Sequence, residues 1–234
     1  MQIDALARQF WENGYLHLEG FCDPDLMDQL DSRIHTHFGV SPDWQHTEEF
    51  LEKSKVEVVP WFPQREGDHA FDPIQNDPKL IALTNAILGE GFGIQYCMVM
   101  FSKAGSNGQA WHQDCPPDDP AQHNLNRLIY TADIDPDVGG QIVFVPGSHK
   151  TGLLPVGDPE EDLDGQVVLA PKKGDLILLH GHMWHRVLPT KGGVRSSTNY
   201  RAGPVGTPED ITDICVYRNM RYRFSTSEVV EERA

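Results

Sequence analysis

Gly139-Gly-Gln-Ile-Val-Phe-Val-Pro-Gly-Ser-His-Lys150 decides how this chain is read. An apolar, β-branched run, Gln141–Val145, is held between Gly139-Gly140 on one side and Pro146-Gly147 on the other. That is a brief strand closed at both ends by turn residues. The same pattern recurs from about residue 92 onward. It predicts strands over Gly93–Ser102, Leu125–Ile134, Gln166–Leu169, Leu176–His180 and Ser197–Arg201, with another near Ile214–Tyr217. Lys173-Gly174-Asp175 is a further turn signal. Many short strands joined by tight turns point to a sandwich or jelly roll.

Upstream the periodicity changes. Ile3, Leu6, Phe10 and Trp11 recur at helical spacing, and Asn13-Gly14 stops the pattern, so residues 3–13 read as an amphipathic helix. Tyr15–Leu18 reads as a short strand. Asp23-Pro24 supplies an N-cap and a first-turn proline for a second helix ending near His37. A third helix runs from Pro78 to about Leu88, where Gly89 ends it. The expected architecture is mainly β with flanking helices: a helical layer over about residues 1–90, packed on a double-stranded β-helix (jelly-roll, cupin-like) core over about 91–220, in one domain. Residues 41–72 fit neither pattern. Trp44, Trp61, Phe62 and Phe71 lie there among prolines and charges, as a binding loop or lid would have them, or as a surface excursion with inward-packing aromatics would.

With 234 residues and 39% hydrophobic content, the chain can bury a sizeable core. A net charge of −16 leaves no basic stripe for phosphates and argues against a nucleic-acid partner. It also disfavours a highly anionic substrate, unless a local basic pocket overrides it. Much of the acid lies in Asp158–Asp164, which reads as a solvated loop. No apolar run approaches the length of a membrane span and no secretory pattern opens the chain, so a cytoplasmic protein is expected. Cys22, Cys97, Cys115 and Cys215 are too dispersed for a disulfide framework and read as free thiols.

Candidate chemistry centres on Trp111-His112-Gln113-Asp114. Positions two apart in an extended segment face the same way, so His112 and Asp114 can offer an imidazole nitrogen and a carboxylate oxygen to one ion. A further histidine from a distant strand would complete a facial triad of the kind used by non-haem Fe(II) oxygenases. Three histidines follow the Leu176–Leu179 run, namely His180, His182 and His185, and spacing alone does not choose among them. Arg195, farther along, is suited to gripping a dicarboxylate through a bidentate fork. His17, His35, His37, His46, His69 and His123 read as surface or ordinary core residues, and His149 as a turn-ordering one.

Taken in order, these segments resemble the phytanoyl-CoA dioxygenase family of Fe(II)/2-oxoglutarate oxygenases. Phe10-Trp-Glu-Asn-Gly-Tyr-Leu-His-Leu-Glu-Gly20 is similar to the family's opening helix and strand. Trp111–Asp114 is similar to its first metal motif, and Gly139–Lys150 to its G-x-[LM]-x-[VF]-[VL]-P-G-[ST]-H-[KR] segment. Gly174-Asp175, His185 and Arg195 follow at the spacing of its final motif. The resemblance spans about residues 8–202. It implies His112, Asp114 and His185 as metal ligands, selecting His185 over His180 and His182. It further implies Arg195 as the partner of the distal carboxylate of 2-oxoglutarate, Tyr130 as an aromatic near that co-substrate, and Fe(II) and O₂ as the remaining reactants. Trp184 and His180 stand, on position alone, as pocket residues. Relatives that halogenate lack the carboxylate ligand, so Asp114 implies hydroxylation-type chemistry on a small molecule. The long signature of the ectoine-hydroxylating branch is absent, and the acidic balance disfavours a CoA ester. A cupin-like isomerase or hydrolase that uses no 2-oxoglutarate is the alternative, and a non-catalytic jelly-roll binding module a further one. The resemblance leaves the oligomeric state open.

Overall fold

The computed structural model describes residues 2–39 and 59–234. Trp44, His46 and most of the irregular 41–72 stretch therefore lie outside the described residues. The helices form where their caps dictate. Helix α1, Ile3–Asn13, ends on a left-handed Gly14. Helix α2, Pro24–His37, starts from the Asp23 carboxylate, which accepts from the peptide nitrogens of Asp25 and Leu26. A single turn, α3, covers Asp72–Gln75. Helix α4, Pro78–Leu88, repeats the α2 device with Asp77 as its cap.

The strands are β1 Tyr15–Leu18, β2 Val59–Trp61, β3 Gly93–Lys103, β4 Gln109–Gln113, β5 Leu125–Ile129, β6 Ile142–Phe144, β7 Val167–Leu169, β8 Leu176–His180, β9 His185–Val187, β10 Val194–Gly203, β11 Ile214–Tyr217, β12 Met220–Arg223 and β13 Glu228–Glu232. They pair antiparallel into two sheets. One has the order β1-β8-β5-β10-β3-β2, the other β13-β12-β11-β4-β9-β6-β7. This is the jelly roll expected, with two differences. Strands β1 and β2, from the N-terminal part, extend the six-stranded sheet at its edges. The β structure continues past residue 220 into β12 and β13.

Alternation within the six-stranded sheet sorts its residues between two cores. Cys97, Val99, Phe101, Leu125, Ile129, Leu176, Leu178 and Tyr200 pack outward against Phe10, Met27, Leu30, Ile34, Leu80 and Leu83 of the helices. Their neighbours Met100, Leu128, Ile177 and Leu179 point inward and meet Ile142 and Phe144 of the second sheet. Trp61 and Phe71, from the irregular stretch, are buried in the outer core, which the inward-packing reading anticipates. Phe62 instead stacks edge-on against Tyr96, with ring centroids 5.3 Å apart. All four cysteines are free. Among the described residues, no helix is long and apolar enough to cross a membrane.

Two sequence motifs act as fasteners. Gly147 N donates to Asn13 O at 2.7 Å, the His149 Nε2–H to Trp11 O at 3.2 Å and Lys150 Nζ to Glu12 O at 3.0 Å. The carbonyls that the last turn of α1 cannot satisfy internally are thus met by the Pro146–Lys150 turn. Gly14 must be glycine for this contact, since it has φ +81° and a Cβ there would lie 2.3 Å from His149 Nδ1. The buried Asp175 carboxylate accepts from His17 Nε2 at 2.7 Å and from the peptide nitrogens of Gly20 and Lys172 at 2.9 Å each, tying the end of β1 to the start of β8. Asp175→Ala leaves those donors without an acceptor and is expected to cost about 2–4 kcal/mol of unfolding free energy. Urea denaturation checks this. An unchanged midpoint would mean that Asp175 does not fasten β1 to β8.

Candidate metal centre

His112 and His185 are direct cross-strand partners in the β4–β9 pair, and their ring centroids lie 4.1 Å apart. Asp114 follows the end of β4, and its peptide nitrogen is anchored to Gly181 O at 2.8 Å. One ligand atom from each of His112, Asp114 and His185 falls within 4.8 Å of the others. Among the described residues this is the only set of histidine, cysteine or acidic side chains that meets metal-binding geometry. All three are buried.

The histidines are held in one tautomer. Nδ1–H of His112 donates to its neighbour Ala110 O at 2.8 Å, and Nδ1–H of His185 donates to Met183 O at 2.9 Å. Each Nε2 is therefore the ring nitrogen left facing Asp114, at 3.7 Å from Oδ1 for His112 and 3.4 Å from Oδ2 for His185. Burial, reinforced by the adjacent His185, lowers the pKa of His112 to about 4, so it is neutral near pH 7. Asp114 is held well below the usual carboxylate range. Burial pushes it upward, but Arg201 and the two histidines outweigh that. A neutral His112 and an ionised Asp114 are in the protonation states that binding a divalent metal requires of them.

The set opens into a cavity of about 1180 Å³ between the sheets. Its lining includes the buried Met100, Leu128, Ile142, Leu179 and Val187, the half-buried Phe62, Tyr96 and Tyr217, and the exposed Glu209 and Asp210. Arg195 also lines it. Arg195 is only 2% exposed, yet it forms no ion pair with a carboxylate of the described residues. It donates from Nε to Gly140 O at 2.8 Å and from Nη1 to Ser197 Oγ at 3.2 Å. Gly140 accounts for the second glycine of the opening motif, because with φ +72° a Cβ there would sit 2.4 Å from Arg195 Cδ. Tyr130 stands beside Arg195, fully buried, with its ring centroid 5.9 Å from the guanidinium carbon.

His180 and His182 do not reach the centre. His180 shares the outward parity of Leu176 and Leu178 and packs on Phe10 and Trp11 of α1. It forms a cluster with His123, His149 and His182, with ring centroids 4.5, 5.1 and 4.9 Å away. His123 is thus a buried member of this cluster. Trp184 lies off the cavity, donating to Gly152 O at 3.2 Å. The acids of Asp158–Asp164 are exposed, as in a solvated loop, while its backbone is docked: Trp111 Nε1 donates to Glu161 O at 2.7 Å, and Arg186 pairs with Asp162 at 2.5 Å. Two cavity residues carried no sequence signal, Asn126 and Arg201. Both bond directly to Asp114.

The sequence model of the phytanoyl-CoA dioxygenase family matches residues 10–195. The chain is 23% identical to the dioxygenase hkm4 of Aspergillus hancockii over 224 aligned positions, covering 84% of this chain and 68% of that one. Its fold resembles that of SnoN, a non-haem α-ketoglutarate-dependent epimerase from nogalamycin biosynthesis, with a TM-score of 0.67, 18% identity and coverage of 92% and 85% of the two chains. SnoN has been solved with Fe³⁺, α-ketoglutarate and nogalamycin RO. HygX from Streptomyces hygroscopicus is similar at TM-score 0.68 and 16% identity, covering 86% of this chain and 87% of that one, in a structure with nickel and 2-oxoglutarate. Another HygX structure also holds hygromycin B.

The histidine cluster predicts a pH dependence of stability. Burial lowers the pKa of His182 to about 4, holds His180 well below 6.5, and lowers His123 and His149. The unfolded chain therefore binds more protons below pH 6.5, and stability falls as the pH drops from there toward 4. From pH 7 to 5, His182 alone is expected to remove about 1–2 kcal/mol from the metal-free protein. Urea unfolding at the two pH values reads this out, and equal stability at both would contradict it.

Proposed function

The chain belongs to the phytanoyl-CoA dioxygenase family, and on that footing we propose that it is an Fe(II)- and 2-oxoglutarate-dependent oxygenase acting on a C–H bond of a small molecule. One observation carries the reading. A buried cation with no carboxylate beside it, Arg195, faces the same cavity as a buried His–Asp–His donor set. A desolvated guanidinium of that kind calls for an anion.

The residues fit both groups. His112, Asp114 and His185 would hold Fe(II) through two imidazole nitrogens and a carboxylate, a donor set suited to that ion that leaves coordination positions open. Arg195 would take the far carboxylate of 2-oxoglutarate, with Tyr130 as the aromatic beside that guanidinium. Bound there, Fe(II) with 2-oxoglutarate and O₂ supplies the oxidation of a substrate C–H bond, with release of succinate and CO₂. The protein's own residues do the rest. Ala110 and Met183 carbonyls fix the tautomers, Ile142, Leu179 and Val187 keep water from the co-substrate, and Phe62, Tyr96 and Tyr217 add aromatic lining. SnoN and HygX, by their names and ligands, take natural products, which favours a small-molecule substrate for this chain too. The retained Asp114 favours hydroxylation over halogenation. Stereochemical inversion, as the name of SnoN records, is compatible with the same centre.

The purified chain supplied with Fe(II), 2-oxoglutarate and O₂ is expected to release succinate slowly even without substrate. Asp114→Ala and His185→Ala should bring that release to background. Arg195→Leu removes a charged pair worth about 2–4 kcal/mol and should raise the 2-oxoglutarate concentration for half-maximal release by roughly 30- to 700-fold. Metal-dependent activity indifferent to 2-oxoglutarate and to Arg195→Leu would transfer the chain to the isomerase or hydrolase class. A substrate screen by mass spectrometry separates the outcomes, since hydroxylation adds one oxygen and inversion leaves the mass unchanged.

A further inference from the structure

Asp114 is gripped from the opposite sheet. Asn126, on β5, donates from Nδ2 to Asp114 Oδ2 at 2.7 Å. Arg201, on β10, donates from Nη2 to Asp114 Oδ1 at 3.1 Å. The two clamp residues also hold each other, because Arg201 Nε donates to Asn126 Oδ1 at 2.9 Å. Asn199 Nδ2 donates to that same oxygen at 2.7 Å, which fixes the orientation of the Asn126 amide. A flipped amide would set Nδ2 against two donors and Oδ1 against a carboxylate. The Asn126 assignment is therefore the only one the network accepts. All three residues are buried, and the guanidinium of Arg201 lies 5.5 Å from the centroid of Tyr96.

Stability alone does not account for this arrangement. A buried ion pair returns little net energy after desolvation, and apolar residues of similar bulk commonly do as well. The surrounding wall is already apolar, with Met98, Met100 and Leu128 beside the network. Its effect is geometric. With one hydrogen bond on each oxygen, the carboxylate plane cannot turn about its Cβ–Cγ bond without breaking one of them. We propose that Asn126 and Arg201 are positioning residues that set the orientation of the Asp114 carboxylate as a metal ligand, with Asn199 as the lock on the Asn126 amide. This rests on the assignment of His112, Asp114 and His185 as the metal ligands.

The test is titration of the metal-free protein with Co(II), anaerobically and without co-substrate, following the visible ligand-field spectrum and affinity. Unfolding midpoints of the same metal-free samples are measured alongside. Asn126→Ala and Arg201→Met are each expected to weaken Co(II) binding about 10- to 100-fold and to alter the spectrum, as loss of an outer-sphere partner does. Arg201→Lys keeps the charge but offers one nitrogen where two are needed, and is expected to fall between wild type and Arg201→Met. If Asn126→Ala does not fold, Arg201→Lys, with nearly the original bulk, carries the test. Folded variants of lower stability but unchanged Co(II) affinity and spectrum would overturn the proposal. So would tighter binding by Arg201→Met, since that is the result if Arg201 acts only as a repelling cation. Failure of the wild type to bind Co(II), or binding that survives His112→Ala and His185→Ala, would instead overturn the ligand assignment beneath it.

Discussion

A strand buried on both faces has to satisfy two environments with one alternating sequence, and β8 of this chain shows what that demands. Leu176 and Leu178 point to the helices, and Ile177 and Leu179 to the space between the sheets. A one-residue slip would exchange the two sets. The parity extends beyond the apolar residues. It sends His180 to the helical side, against Trp11. In β10, paired with β3 through Arg195↔Ser102 and Tyr200↔Cys97, it turns Arg195, Asn199 and Arg201 toward the cavity while Tyr200 joins the outer core. The polar groups of the centre are thus held by the same alternation that holds the hydrophobic cores, and the fasteners at Asp175 and at the end of α1 fix its register.

What the sequence disclosed follows from how local each feature is. Helix α1 ends at Gly14, α2 starts at Asp23-Pro24 and α4 runs from Pro78 to Leu88 before Gly89, because caps and stops act within a few residues. Strand β8 was legible as an apolar run between a turn and a glycine. Strand β9, of three residues, was not, since His185-Arg186-Val187 has neither the length nor the alternation to stand out. Strands β12 and β13 are exposed or half-buried and rich in charge. The choice of His185 is the sharpest case. It depends on the cross-strand pairing His112↔His185, a contact between residues 73 positions apart, and nothing in the intervening spacing encodes it. Only the resemblance of the whole motif series supplied it.

The motif residues themselves divide by task. Pro146–Lys150 and Gly174-Asp175 are among the most recognisable segments, yet they join elements and lie outside the cavity lining. Gly140 is required because Arg195 passes where its side chain would be. In contrast, Asn126 and Arg201 touch the carboxylate of the centre from strands whose sequences, Leu-Asn-Arg-Leu-Ile and Val-Arg-Ser-Ser-Thr-Asn-Tyr-Arg-Ala-Gly, read as ordinary polar-apolar mixtures. A polar residue in a strand signals exposure until the opposite face is known to enclose a cavity. That knowledge is tertiary, and so this layer of the site becomes visible only with the fold.

The same distinction bears on charge. A net charge of −16 disfavours anionic ligands if the molecule is treated as a uniform object. The charges are not uniformly placed. Glu209, Asp210 and the β13 glutamates are exposed, where water and salt screen them within about 8–10 Å. Arg195 and Arg201 are buried in the cavity wall, where screening is weak. Arg201 is answered by Asp114, whereas Arg195 has no acidic partner among the described residues. For a ligand inside the cavity, the buried charge left without a protein counter-charge is therefore positive, that of Arg195, in a chain whose composition is acidic. Net charge describes how the surface meets solvent and other macromolecules. The sign of the charge a buried site accepts is set by the few desolvated groups that face it, and in this cavity these favour a carboxylate.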